Sequence, residues 1–147
     1  MFRSLSLIVL ALLLGCAAPD PYRNAEVSGQ VSYREKIVYG PDATLIVFLV
    51  DASGPESPLQ VELQKLDSPD PGAELLAATS IEGMIPSPTD FALAVPLDKI
   101  DQGHDYRLKA VILDQGRPVM AAGEPPLVLT KGRPVRVDLV LVPLPLG

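Results

Sequence analysis

Sixteen prolines spread along the chain constrain its fold more than any other feature of the sequence. Proline lacks a backbone N–H and clashes with the preceding helical turn, so an interior proline ends or kinks a helix. We therefore expect no long helix and at most one helical turn, at residues 97–102. The prolines and glycines form breakers between short segments, at residues 40–41, 54–55, 69–72, 86–88, 116–118, 125–126 and 132–134.

Between these breakers, apolar and polar residues alternate with a period of two, which is typical of strands with one buried face. The alternation is clearest at residues 26–34, 59–64, 91–95, 106–113 and 135–142. Residues 43–50 are apolar on both parities, which predicts a central strand covered on both faces. Shorter strands are expected at 75–81 and 127–130. The pattern predicts an all-β domain: an antiparallel β-sandwich of seven to eight strands with an immunoglobulin- or transthyretin-like outline.

The N-terminal segment has the pattern of a bacterial lipoprotein signal. Arg3 supplies positive charge, residues 5–14 are an apolar core, and small Gly15 precedes Cys16, the chain's only cysteine. The core has about half the length of a membrane-spanning helix. We predict a signal peptide over residues 1–15, cleaved between Gly15 and Cys16, with diacylglycerol and acyl chains on Cys16. Residues 16–25 would form a tether and residues 26–147 the β-sandwich domain. The alternative is an ordinary secretory signal with an incidental cysteine.

The predicted anchor and the charge of the chain indicate where the protein lies. Two lipid chains suffice for stable membrane attachment, so the domain itself need not touch the membrane. The residue after Cys16 is Ala17, not the aspartate of an inner-membrane retention signal, which favours the outer membrane, facing the periplasm. Without Arg3 the chain has 11 basic and 18 acidic residues, a net charge of −7. Such a surface repels nucleic acid, so we expect no nucleic-acid partner.

Seven segments share the residue pattern of a known family: residues 27–35, 41–45, 49–53, 85–86, 91–93, 105–110 and 137–141. Together they resemble the YbaY/YscW-like lipoprotein family over about four-fifths of the predicted mature chain. The resemblance implies a β-sandwich lipoprotein of the outer membrane. Its named member class, the type III secretion pilotin, helps to place the secretin ring, so the resemblance implies an envelope client such as a secretin. In one departure, the family's aspartate-serine loop occurs twice, at 51–53 and 67–70, as though residues 54–66 added a strand.

The sequence offers little for catalysis, which needs a nucleophile or metal and a matched base within mutual reach. The only histidine, His104, is in a turn, and we interpret it as a solvated turn residue, not a base or a metal ligand. Asp67, Asp70 and Glu74 match the outline of a calcium loop, but the two prolines between them disrupt the ligand spacing. We interpret these carboxylates as loop caps. The prediction is a non-enzyme with no catalytic residue, no metal and no cofactor beyond the lipid on Cys16.

Two segments are candidates for partner binding. Met84 and Ile85 would form an exposed apolar spot, or else the start of a core strand. Residues 127–130 would be a strand edge that captures an extended peptide, unless the flanking prolines block pairing. Neither segment identifies a partner-binding residue. The leading hypothesis is a membrane-tethered module that helps to place another envelope protein. The alternatives are a small-molecule, glycan or cell-wall binder, and a structural envelope lipoprotein without a specific partner.

Overall fold

The computed structural model describes residues 24–34, 40–56, 58–67 and 75–145. One helix, α1 (Leu59–Asp67), follows the second strand, and a single 3₁₀ turn spans Leu97–Lys99, within the predicted helical turn. None of the helices in these ranges is long and apolar enough to cross a membrane. The strands are β1 (Asn24–Tyr33), β2 (Thr44–Asp51), β3 (Leu75–Glu82), β4 (Thr89–Pro96), β5 (Tyr106–Asp114), β6 (Arg117–Ala122), β7 (Leu127–Val128) and β8 (Leu139–Pro143).

All eight strands belong to one sheet. Its order is β3-β2-β5-β6-β8-β1-β4, and β7 pairs with β5 beside this path. Strands β1 and β8 are parallel, whereas the other strand pairs are antiparallel. The sheet curls until β3 and β4 come into contact, which makes it nearly barrel-shaped. The all-β class is therefore confirmed, but the antiparallel β-sandwich is not, because the strands surround one core as a single mixed sheet.

The concave face of this sheet encloses the main core, as the period-two alternation predicts. In β4, Phe91, Leu93 and Val95 are buried, and the alanines between them are exposed. Because a side chain points to the opposite face at every residue, each such strand contributes every second residue to the core. The largest side chains buried there are Tyr106, Leu45, Leu49, Ile85, Leu93, Leu108, Ile112, Met120, Leu139 and Leu141.

A second, smaller core lies on the convex face of β2 and β5. Phe48, Val50 and Val111 are buried there, and helix α1 packs over them. This confirms that β2 is a central strand covered on both faces. However, the element that covers the convex face is helix α1, so the strand predicted at residues 59–64 and the added strand at residues 54–66 are wrong.

The prediction failed because this short segment fits two periodicities. Leu59, Val61 and Leu63 are spaced as in a strand, whereas Leu59, Leu63 and Leu66 lie on one face of a helix. The second core selects the helix, since it partly buries all three of those leucines and leaves Val61 40% exposed. Pro58 precedes the helix, where its fixed φ and missing N–H are tolerated.

Strand β6 is missing from the sequence prediction, which treats residues 116–118 as a breaker. Gln115 and Gly116 form the two-residue turn between β5 and β6, with φ of 51° and 77°. Positive φ at both positions is typical of a type I′ hairpin. Pro118 lies inside β6, opposite the register shift at Ile112 and Leu113. A proline is tolerated in a strand at such an irregularity, and the strand therefore continues beyond it.

The C-terminal strand predicted at residues 135–142 begins later, at Leu139, because residues 135–137 pair with β1 outside the regular ladder. The Ser28 N–H donates to the carbonyl of Val135, and the Val137 N–H donates to the carbonyl of Ser28, both at 2.9 Å. At Gly29, a Cβ atom would lie 1.6 Å from the carbonyl oxygen of Val137. Only glycine permits this close approach of two backbones.

Candidate functional site

A cavity of about 200 Å³ lies between helix α1, the end of β2 and the start of β5. We call it the α1 cavity. Its apolar wall includes Val50, Pro55 and Leu75. A larger and more open recess of about 430 Å³ adjoins it, sharing Glu56, Glu62 and Lys109 and continuing along α1 to Ala121 and Ala122. In the part of the chain that the structure describes, three acids and three bases line the α1 cavity: Asp51, Glu56, Glu62, Lys65, Arg107 and Lys109.

An ion pair that is almost completely buried joins the helix to the sheet in this cavity. Glu62 Oε1 lies 2.6 Å from Lys109 Nζ, and the two side chains are 7% and 12% exposed. Within the described residues, Glu62 Oε2 has no hydrogen-bond partner. A buried oxygen that has lost water without gaining a donor is energetically unfavourable. Glu62, which lines the α1 cavity, therefore combines a buried unsatisfied acceptor with a neighbouring lysine ammonium.

The sequence analysis did not find this pair. The strand interpretation places Glu62 on a solvent face, whereas in the helix it lies on the same buried face as Leu59 and Leu63. Lys109 projects from the convex face of β5, between Leu108 and Ala110, which point into the main core. The helical spacing of the leucines was the available signal, but the partner 47 residues away required the tertiary structure.

His104 is part of a polar cluster that ties two loops to the end of β2. Its Nδ1 lies 2.7 Å from Asp51 Oδ2, and its Nε2 lies 3.6 Å from Asp101 Oδ2. Its backbone carbonyl accepts a hydrogen bond from the Thr130 hydroxyl at 2.6 Å. The side chain is 45% exposed. The solvated turn residue of the sequence analysis thus makes specific contacts that hold these loops together.

The pKa values in this cluster are shifted by the same contacts. The hydrogen bond to Asp51 raises the pKa of His104; partial desolvation opposes this, while the charges of Asp51 and Asp101 add to it. Desolvation raises the pKa of Asp51, but hydrogen bonds from Ser53 and His104 outweigh it, so its pKa lies below the ordinary value. The arrangement favours the protonated form of the imidazole, in which it makes charged contacts with both carboxylates.

A second charged contact lies next in the chain, at Asp105. Its Oδ1 lies 2.9 Å from Lys131 Nζ and 2.6 Å from Arg133 Nη1. The hydrogen bonds from these two cations lower the pKa of Asp105 to about 2. Together with the Thr130 hydrogen bond, these ion pairs attach the turn at residues 130–133 to the loop before β5.

The remaining site residues of the sequence analysis are those of the lipidation site and of the calcium-loop outline. Gly15, Cys16, Asp70 and Glu74 lie outside the described residues, and Asp67 is the last residue of α1. Across residues 24–34, 40–56, 58–67 and 75–145, no cluster of three or more His, Cys, Asp or Glu side chains is arranged to hold a metal ion.

Each of the two candidate binding segments contains buried residues. Met84 is 85% exposed, but Ile85 is 2% exposed and belongs to the main core. The Ile85 carbonyl accepts a hydrogen bond from the Tyr33 hydroxyl. The predicted edge strand is the two-residue β7, which pairs with Tyr106 and Arg107 of β5. Ile85 therefore begins a core segment, as the alternative interpretation has it.

Comparisons with known proteins identify relatives of this chain. Residues 54–141 match the model of a family described as type III secretion system lipoprotein chaperone (YscW). The fold is similar to that of an alternative pilotin from the type II secretion system of Vibrio cholerae, with a TM-score of 0.66 and 22% sequence identity. That alignment covers 83% of this chain and 98% of the pilotin chain. A search of curated proteins gives no match.

Proposed function

Because the chain belongs to the type III secretion system lipoprotein chaperone family (YscW), we propose that it is a pilotin-like helper of secretin assembly in the bacterial envelope. The observation that carries this proposal is the family match over residues 54–141, which includes α1, β5 and the Glu62–Lys109 pair. The similarity of fold to a pilotin is consistent with it. The helper role needs a binding surface and no chemistry, so we also propose a non-catalytic protein.

The proposed mechanism depends on a lipid anchor at Cys16. In this account the signal peptide is cleaved after Gly15, and acyl chains on Cys16 hold the protein in the outer membrane, facing the periplasm. Anchoring confines both helper and client to a thin layer beside the membrane, which raises their effective concentration without any new contact. The folded domain then contributes only the surface that holds a client segment.

Crosslinking in intact envelopes tests the helper role. The full chain carries an affinity tag after residue 147, and crosslinked complexes are purified from cells that contain a secretin. The proposal predicts that secretin subunits are recovered and that deletion of the gene reduces secretin in the outer-membrane fraction. Recovery of no secretin, together with normal outer-membrane secretin in the deletion strain, would contradict it.

The larger recess that adjoins the α1 cavity, with a volume of about 430 Å³, favours a second candidate function, the binding of a small molecule, glycan or cell-wall component. A concave site with convergent polar groups is typical of ligand binding. This function predicts that a library of envelope metabolites contains a compound that raises the melting temperature of the full chain, since a ligand that binds only the folded state stabilises it. Absence of any such compound would remove this candidate.

A further inference from the structure

We propose that the α1 cavity binds a carboxamide group, the side chain of an asparagine or glutamine in a client segment. Two adjacent groups carry this inference. Glu62 Oε2 is a buried acceptor that lacks a donor among the described residues. Among the described residues, Lys109 Nζ makes one hydrogen bond, to Glu62 Oε1, and an ammonium has three N–H donors. A ligand that completes this site must donate to Glu62 and accept from Lys109.

Among common side-chain groups, the primary carboxamide has this combination in one planar unit, with an NH₂ donor beside a carbonyl acceptor. A carboxylate offers no donor to Glu62. A guanidinium or ammonium offers no acceptor to Lys109. Lys109 Nζ lies 2.6 Å from Glu62 Oε1, so the unsatisfied Oε2 of the same carboxylate and the lysine ammonium belong to neighbouring groups. One amide therefore offers a donor to the first group and an acceptor to the second.

The charge around the α1 cavity supports a neutral ligand. Among the described residues, three acidic and three basic side chains line it, and their formal charges sum to zero. A charged ligand would add an unbalanced charge beside a buried pair, which is unfavourable in a site of low dielectric. A neutral carboxamide completes the hydrogen bonds and leaves this balance unchanged.

The size of the α1 cavity favours a single side chain over a free ligand. Its volume of about 200 Å³ is below the range of about 300–1,000 Å³ that is usual for small-molecule pockets. Val50 and Leu75 provide apolar contacts for the methylene groups of the side chain. The adjoining recess, with Leu59, Ala121 and Ala122 on its walls, provides an open surface for the rest of the segment. That the carboxamide belongs to a client rests on the proposed function.

A titration of the purified full chain in detergent tests the chemistry without any client. The probe is N-acetylglutamine methylamide, and the glutamate and methionine analogues are its controls. The methyl signals of Val50 and Leu75 report occupancy by NMR. We expect saturable shifts and a Kd for the glutamine probe at least about tenfold below both controls, because each control leaves a buried charged group without its partner. Equal affinities, or no shift at the solubility limit, would overturn the proposal.

A matched pair of double variants locates the binding. Glu62→Met/Lys109→Met removes both polar groups and conserves net charge. The control Asp98→Met/Lys99→Met removes an opposite pair from exposed positions in the 3₁₀ turn, which line neither the α1 cavity nor the adjoining recess. The preference for glutamine must disappear in the first variant and persist in the second. A preference that survives Glu62→Met/Lys109→Met refutes the assignment, provided that its melting curve remains cooperative, which is checked in the same sample.

The same variants in cells separate this inference from the proposed function. We expect Glu62→Met/Lys109→Met to lose crosslinking to the secretin and the control variant to keep it. If the purified chain prefers the glutamine probe but the cavity variant still crosslinks the secretin, the client assignment fails and the helper role stands. If the unaltered chain itself captures no secretin, the proposed function fails whatever the titration shows.

Discussion

Replacement of Lys109 by methionine is the most informative single perturbation of the site. Methionine is close to lysine in length but cannot donate to Glu62, whose side chain is 7% exposed. After the substitution neither carboxylate oxygen has a partner among the described residues, since Oε2 already lacks one. Removal of one member of a buried ion pair leaves an uncompensated charge, which costs about 3–5 kcal/mol of unfolding free energy.

Urea denaturation of the purified full chain measures this loss of unfolding free energy. In thermal unfolding, a loss of that size lowers the melting temperature by roughly 10–20 °C in a domain of this length. The slope of the unfolding free energy against urea concentration must be the same in the variant and in the unaltered chain, because only then does a shift in the urea midpoint report a change in stability. The double variant Glu62→Met/Lys109→Met is the matched comparison. It should return to within about 1 kcal/mol of the unaltered chain, since apolar replacement of a whole buried pair is often neutral.

Two results would refute this reasoning. A loss of less than about 1 kcal/mol for Lys109→Met would mean that solvent already reaches Glu62 and that the pair behaves as a surface ion pair. A double variant as unstable as the single one would mean that Lys109 stabilises the fold through its packing and not through Glu62.

Three further predictions concern the fold and its pH dependence. In urea denaturation, Gly29→Ala should destabilise the protein by about 3 kcal/mol, because the new Cβ meets a backbone carbonyl that cannot move aside. The control Gly54→Ala, whose new Cβ meets nothing within 4 Å, should differ little from the unaltered chain. Phe48→Ala should cost about 3–5 kcal/mol by the same assay, because Phe48 is fully buried in the small core under α1; a loss below 1 kcal/mol would show that α1 does not seal this core. His104→Gln should lower the melting temperature more at pH 5.5 than at pH 8.5. Because Asp51 raises the pKa of His104, the contribution of His104 to stability is complete below its ordinary pKa of 6.5 and is lost as the pH rises through the folded-state pKa. A difference in melting temperature that is constant or grows with pH would contradict this.

The local pattern of apolar and polar residues was sufficient to predict several strands and which of their faces are buried. Alternation identified β4 and β5, and the apolar run at 43–50 identified β2 as a strand covered on both faces. It failed at α1, where residues 59–64 fit both periods and only the convex face of the sheet decides between them. It also failed at β6, because the effect of Pro118 depends on a register shift in the neighbouring strand.

The candidate site was harder to predict than the fold because its pairs are distant in sequence. Glu62 and Lys109 are 47 residues apart, and His104 and Asp51 are 53 apart. Each pair depends on where α1 or a loop packs, which no local pattern specifies. Sequence analysis identified His104 as the only histidine, but its charged contacts with Asp51 and Asp101 appear only in the folded chain.

The central claim, that a lipid-anchored protein helps a secretin to reach the outer membrane, is tested most directly by the amount of multimeric secretin in that membrane. It is measured after membrane fractionation in three strains, which carry the unaltered chain, no chain, or the Cys16→Ser variant. The account predicts full secretin with the unaltered chain and a strong reduction in the other two strains. Unchanged secretin in the strain without the chain would contradict the helper role, and full rescue by Cys16→Ser would contradict the anchor.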